Sequence, residues 1–247
     1  MSMDYKEVSK RLSKGEVEKY SLGIALVGNL VDTLRKQGLL PKRFARVEFI
    51  GEAITFTEEE RKALVDDGAV PYLLTGETIK SQKSAKRRPF VEVADGYEVD
   101  GKNRLTEFPS RIMEVAIYPD PERFFVPNSF NKTTDQQIAL VEQDAQFLRE
   151  RLRQPKIGQI LPEVSEVTEV LFKHVNATKV RILGKGYGKW SYIRTGTPTN
   201  KEGSYVASVG RWDRGGLYVN EWNRSISSTL LGAARWVVPL SISHMTK

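Results

Sequence analysis

The chain contains no cysteine and only two histidines, His174 and His244. Without cysteine it has no disulfides, thiolate metal sites or cysteine nucleophiles. Two histidines cannot form a three-histidine zinc site, so any metal ion would need carboxylate ligands. We therefore expect no metal centre, no cofactor and no catalytic residue set. The composition is compatible with a reducing compartment, and we expect a cytoplasmic protein.

Long apolar runs are also missing. The longest, Ser21–Val31, is about half the ~18 residues that a membrane-spanning helix needs. The charged start, MSMDYKEVSKRL, lacks the apolar centre of a secretory signal. We expect no membrane partner.

A glycine-rich stretch, GKGYGKWSYIRTG at 184–196, does not fit a phosphate-binding loop. Only three residues separate Gly184 from Gly188, whereas a P-loop needs four, and Trp190 follows Lys189 in place of serine or threonine. The residues after it are typical of a strand, whereas a phosphate loop leads into a helix. The pattern predicts a glycine-bearing hairpin or bulge.

The first two thirds of the chain show a mixture of helical and strand patterns. Apolar spacing predicts two helices within residues 4–40. Capping boxes at Thr57 with Glu60 and at Thr133 with Gln136 predict two further helix starts, and Pro162 precedes another helical pattern. Residues 111–119 predict a strand.

After Asn176 the pattern becomes β-rich. Short segments rich in β-branched and aromatic residues are separated by Gly, Asn and Pro, which is typical of an antiparallel sheet. We expect an α+β fold with a helical and mixed N-terminal part, 1–130, and a part at 131–247 with a helical pair and then strands. The two parts could also form a single domain.

Charge and aromatic placement suggest a polyanion as partner. The net charge is +7, and all four tryptophans, each with a basic residue within two positions, lie in the last 58 residues. Cationic grooves with aromatic platforms hold single-stranded nucleic acid. The opposing interpretation places the tryptophans in the core and the arginines on the solvent face. We expect a non-catalytic binding protein, with nucleic acid as the first choice of ligand, through Lys185, Tyr187, Lys189, Trp190, Arg194, Arg211, Trp212, Arg214 and Arg235.

Two other segments are candidate anion sites. The basic run at 81–90 contains Lys86, Arg87 and Arg88, and Lys132 lies beside the capped helix start at Thr133. Each could equally be a solvated loop or an ordinary cap.

Two other functional classes remain open. An enzyme acting on a phosphorylated or nucleotide substrate would use Arg194 and a carboxylate such as Glu221, with Glu114 and Asp213 as further acid–base candidates. A structural or assembly protein, of a phage or a larger particle, would use the apolar stripe at 138–152 as a homo-oligomer interface. That stripe could instead pack on the protein's own sheet.

The segments PNSFNKTTDQQ (127–137), YIRTGTPT (192–199) and ARWVVP (234–239) carry a resemblance to a family of hypothetical bacterial proteins. The resemblance covers about residues 60–240. It implies a bacterial cytoplasmic protein and no particular activity.

Overall fold

The structure is a computed structural model that describes residues 53–85, 88–183 and 191–240. The chain divides into two units, Met1–Ala53 and Ile54–Lys247, and the elements below belong to the second. The helices expected within residues 4–40 lie outside the described residues. The described helices are α1 (Glu58–Asp66), α2 (Ile79–Lys83), α3 (Pro121–Phe124), α4 (Thr134–Leu152) and α5 (Val164–Thr178). The described strands are β1 (Val70–Leu73), β2 (Phe90–Val93), β3 (Glu98–Val99), β4 (Lys102–Asn103), β5 (Glu114–Ile117), β6 (Ile157–Gln159), β7 (Tyr192–Pro198), β8 (Tyr205–Gly210), β9 (Leu217–Asn223), β10 (Leu231–Gly232) and β11 (Trp236–Pro239).

Local sequence signals set where the main helices begin. The Thr57 side chain accepts from the Glu60 amide and Glu60 bonds back to the Thr57 amide, which confirms that capping box. The same reciprocal pair joins Thr133 and Gln136 at the start of α4. Helix α4 ends where Arg153 adopts a left-handed conformation, with φ of 55°.

The four-stranded sheet has the order β1-β5-β11-β6 and is antiparallel throughout. Along each strand the side chains alternate between two cores, because successive side chains point to opposite faces of the sheet. Val115 and Ile117 join the large core around α5, while Ala116 and Tyr118 pack with α1 and α4. Both faces of this sheet are therefore buried.

The five-stranded sheet has the order β10-β7-β8-β9-β2. Its centre, β7-β8-β9, is antiparallel as expected, but the edge strands β10 and β2 pair in parallel. Neither edge strand is joined to its neighbour by a hairpin, so its direction is not forced to alternate. Inward-facing residues of this sheet pack against α5: Ile193, Ala207, Val209, Leu217 and Val219.

These packings confirm the α+β class. Strands from before and after residue 130 pair within both large sheets, β5 with β11 and β2 with β9. No helix of the described part is long and apolar enough to cross a bilayer. The α5 side of the five-stranded sheet is covered, and its other side carries polar and aromatic side chains. That outer side is where a ligand could reach the sheet.

Candidate functional site

The outer side of the five-stranded sheet presents aromatic rings on adjacent strands. Tyr192 of β7 is in register with Gly210 of β8, and Gly210 is in register with Tyr218 of β9. A Cβ at position 210 would lie 2.7 Å from Cδ1 of Tyr192, so the glycine leaves the space that this ring occupies. Along β9, Tyr218, Asn220 and Trp222 alternate with the buried Leu217 and Val219. We call Tyr192, Tyr218, Asn220 and Trp222 the aromatic face.

Contacts within the aromatic face hold its rings in place. The Tyr192 and Trp222 rings lie 6.5 Å apart between centroids at 56°. The Asn220 side-chain amide donates to the Tyr192 hydroxyl at 3.3 Å. Tyr192 is buried, and burial raises the pKa of its hydroxyl. Tyr192 therefore packs beneath the surface and holds the Trp222 ring in place. Tyr218 and Trp222 are only partly buried, so part of each ring is accessible to a ligand.

Exposed arginines lie at one end of this face, around the β8–β9 turn. The Arg211 guanidinium lies over the Tyr218 ring, 4.9 Å from its centroid, and bonds the Tyr192 hydroxyl. Arg181 follows α5, on the covered side of the sheet; its guanidinium lies 5.9 Å from the centroid of the Trp212 ring, and its Nη1 donates to the Asp213 carbonyl of the turn at 2.8 Å. Arg214 is exposed in the same turn. We call Arg181, Arg211 and Arg214 the arginine end.

Asp213 fixes the turn that carries these arginines. Its carboxylate accepts from the Gly215 amide at 2.8 Å and from the Tyr218 hydroxyl at 3.2 Å. The backbone bond from Gly215, with that hydroxyl, holds the pKa of Asp213 below its usual range. Gly216 has φ of 139° and lies against the Pro89 carbonyl, a conformation and a proximity that favour glycine.

A cleft of about 480 Å³ opens beside the aromatic face, between the end of β2 and residues 220–222 of β9. Its lining residues are Glu92, Val93, Ala94, Asp95, Asn220, Glu221 and Trp222. Glu92 is the register partner of Tyr218, so its side chain lies beside that ring. No hydrogen bond or ion pair joins the side chains of Glu92, Asp95 or Glu221 to the other residues that the structure describes. Positive groups thus lie at the Tyr218 end of the aromatic face, and acidic groups lie along its β2 side, with Glu92 beside Tyr218.

Metal binding finds no support in this region. Within residues 53–85, 88–183 and 191–240 no group of three or more His, Asp or Glu side chains is arranged to hold an ion. The face can offer stacking, cationic donors and carboxylate acceptors.

Arg194 does not lie on the accessible part of this face, although the sequence made it a candidate ligand residue. It is fully buried beneath the 223–226 segment and the start of α4. Its Nη1 donates to the Thr134 hydroxyl at 2.9 Å and its Nη2 to the Ile226 carbonyl at 2.8 Å. Burial lowers the pKa of Arg194. Its contacts join three parts of the chain.

Arg235 and Trp212 are also buried and therefore do not present themselves to a surface ligand. The Arg235 Nε and Nη2 donate to both oxygens of Asp144, at 2.7 and 2.8 Å. Trp212 packs edge-on against Phe172 of α5, with centroids 5.3 Å apart. Trp236 is likewise fully buried. For Trp212 and Trp236, the opposing interpretation, core tryptophans, is the one that matches their positions.

The remaining candidates are dispersed. Arg88 is largely buried, forms an ion pair with Glu77 and lies 6.0 Å from the Phe172 ring. Lys132 is partly exposed, and its carbonyl accepts from Arg194 at 3.5 Å. Of the predicted nucleic-acid residues, the structure brings Arg211 and Arg214 together. Lys86, Arg87, Lys185, Tyr187, Lys189 and Trp190 lie outside the described residues.

The apolar stripe of α4 is used within the protein. Val141, Ala145 and Leu148 are buried, while Ile138 is 42% exposed. Most of the proposed interface therefore packs against the chain's own core. Glu114, another earlier candidate, is buried and bonded to Arg61 by two contacts of 2.8 Å.

Sequence reasoning did not select Arg181, Glu92 or Asn220. The segment LYVNEW did contain a usable signal, because Leu217 and Val219 alternate with Tyr218, Asn220 and Trp222. Glu92 carried no comparable signal, since its position beside Tyr218 depends on a parallel pairing across more than a hundred residues.

No protein-family model, curated protein or solved structure matches the chain. Function is therefore inferred from the geometry of the aromatic face, the arginine end and the cleft.

Proposed function

We propose that this is a non-catalytic protein that binds single-stranded nucleic acid on the aromatic face. The observation that carries the proposal is the position of Arg211, exposed and 4.9 Å from the centroid of Tyr218, with Arg181 and Arg214 around the same turn. Guanidinium groups bind phosphate, and accessible rings bind bases without regard to sequence.

The spacing along β9 suits an extended ligand. Tyr218 and Trp222 are four residues apart on one strand, a separation of about 14 Å at ~3.4 Å per residue. A strand lying along β9 could stack on both rings while its backbone meets the arginine end. Each stacked base contributes about 1–3 kcal/mol.

Titration of a short single-stranded oligonucleotide at several salt concentrations tests the proposal. Phosphate contacts make the logarithm of affinity fall with the logarithm of salt, by about 0.7 per contact on single strands. We expect Arg211→Ala to reduce that slope by about 0.7, because one contact is lost. We expect Trp222→Ala to weaken binding about tenfold at every salt concentration, leaving the slope unchanged.

Lys156→Ala is the matched control for charge. Lys156 is exposed and precedes β6 of the other sheet, so its loss removes one positive charge without touching the aromatic face. Its slope should equal that of the wild type. Absence of binding, or equal effects of Arg211→Ala and Lys156→Ala, would contradict the proposal.

The enzyme alternative has one observation in its favour, since Glu221 lines the cleft. Its other proposed group, Arg194, is buried away from that cleft and bonded to Thr134 and Ile226. The cleft and Arg194 therefore do not form one site, and binding without turnover is the better-supported proposal. For such a protein we propose a bacterial cytoplasmic location.

The assembly alternative would need an apolar surface on α4. Ile138, 42% exposed, is the accessible end of the stripe, whereas Val141, Ala145 and Leu148 are buried and the exposed Phe147 lies off the stripe. A homo-oligomer that associates through α4 is therefore a less well supported proposal than nucleic-acid binding.

A further inference from the structure

The cleft beside the aromatic face differs from the arginine end in chemistry. Its lining residues include the acidic Glu92, Asp95 and Glu221, together with Asn220 and Trp222. Carboxylates only accept hydrogen bonds, and they repel phosphate. A nucleic acid on this face would therefore direct its phosphates toward the arginine end and a hydrogen-bond donor toward the cleft.

Glu92 is the carboxylate best placed to meet the ligand's sugar. It belongs to the edge strand β2 and is paired with Tyr218, so it lies beside the ring, one strand spacing of about 4.8 Å away. Glu92 is exposed, so its carboxylate can reach a ligand at the margin of the aromatic face. A base stacked on Tyr218 has its sugar beyond the edge of the ring.

We propose that the face selects RNA over DNA, with the Glu92 carboxylate accepting a hydrogen bond from a ribose 2′-hydroxyl. This inference rests on the proposed function. The 2′-hydroxyl is the donor that ribose has and deoxyribose lacks, and it is the group by which proteins distinguish the two at a given site. Because every ribose carries it, the selection does not depend on base sequence.

The test compares two oligonucleotides of the same sequence, one of ribose and one of deoxyribose, with deoxyuridine in place of thymidine. We expect the wild-type protein to bind the ribose strand about tenfold more tightly, which is the effect of one hydrogen bond to a charged group. Glu92→Ala should reduce the ratio of the two affinities to about one. Removing a negative charge strengthens phosphate binding for both strands, so that general effect cancels in the ratio.

Glu98→Ala is the matched control, because Glu98 is exposed on β3, outside the five-stranded sheet. It should keep the ratio of the wild type. Equal wild-type affinity for both strands, or an unchanged ratio in Glu92→Ala, would overturn RNA selection and leave the proposed function standing. Absence of binding to either strand would overturn both.

Discussion

At the scale of single residues, Arg194 carries a guanidinium group into the interior without a carboxylate partner. All of its hydrogen-bond acceptors among the described residues are uncharged: the Thr134 hydroxyl and the carbonyls of Lys132, Asn223 and Ile226. Its Nε is buried and has no acceptor. A buried charge of this kind is tolerated when oxygen dipoles surround it, and those oxygens depend on it in turn.

We expect Arg194→Ala to lower the free energy of unfolding by about 3 kcal/mol. The substitution leaves a cavity and removes the donor from the Thr134 hydroxyl and the Ile226 carbonyl, both of which are bonded at under 3 Å. Arg194→Met fills the volume but restores no donor, so its loss should be smaller. Urea unfolding followed by circular dichroism measures both.

Arg153→Ala is the control, since Arg153 is exposed at the end of α4, and its effect should stay within about 0.5 kcal/mol. If Arg194→Ala unfolded at the same urea concentration as the control, that result would contradict the prediction that Arg194 stabilises the fold.

The sequence alone could not separate Arg194 from Arg211. Arg194 follows Trp190 and Tyr192 closely, and Arg211 directly precedes Trp212, so each lies near aromatic residues in the sequence. Arg194 is buried because its acceptors come from positions up to 62 residues away, whereas Arg211 follows a strand end and has φ of 48°. Whether an arginine is buried depends here on packing between distant parts of the chain, and the pattern of neighbouring residues does not reveal that packing.

At the scale of elements, helix α4 is fixed to the four-stranded sheet by Asp144. Its carboxylate accepts two bonds from Arg235 and one from the Gln159 amide at 2.7 Å. The side chains of Asp144 and Arg235 are 8% and 9% exposed. Asp144 therefore links α4 to β6 through Gln159, and to the residue before β11 through Arg235.

We expect Asp144→Asn to destabilise the protein by about 3–5 kcal/mol, because Arg235 would remain buried without its counter-charge. Asp135→Asn on the same helix is the matched comparison. Asp135 also pairs with an arginine, Arg224, but both side chains are well exposed, so the loss should be below about 1 kcal/mol. Thermal unfolding of the two variants measures the difference, and equal losses would contradict this account of α4.

The starts of α1 and α4 and the β-rich character after Asn176 could be predicted from sequence. Capping boxes act within four residues, and alternation within a strand is equally local. The parallel edges β2 and β10 could not be predicted, because their partners β9 and β7 are chosen by the fold as a whole. The candidate site was therefore predicted only in part: the sequence selected Arg211 and Arg214 of the arginine end, and none of the four residues of the aromatic face.

At the scale of the whole molecule, positive charge is unevenly distributed along the chain. The chain has 38 basic and 31 acidic residues, yet acidic and basic residues are about equally numerous in the part that the structure describes. The excess belongs to 1–52, 86–87, 184–190 and 241–247. In the proposed function, general attraction of the nucleic acid would come mainly from those segments, and the aromatic face would position it.

Mapping of photo-crosslinked residues tests most directly whether a nucleic acid lies on the aromatic face. Single-stranded RNA would be crosslinked to the full chain by ultraviolet light, and the modified peptides identified by mass spectrometry. We expect crosslinks in the β8–β9 segment at Tyr218 or Trp222, and a large reduction of the Trp222 signal in Arg211→Ala. Crosslinks confined to residues 1–52, with their yield unchanged in Arg211→Ala and Trp222→Ala, would contradict the claim.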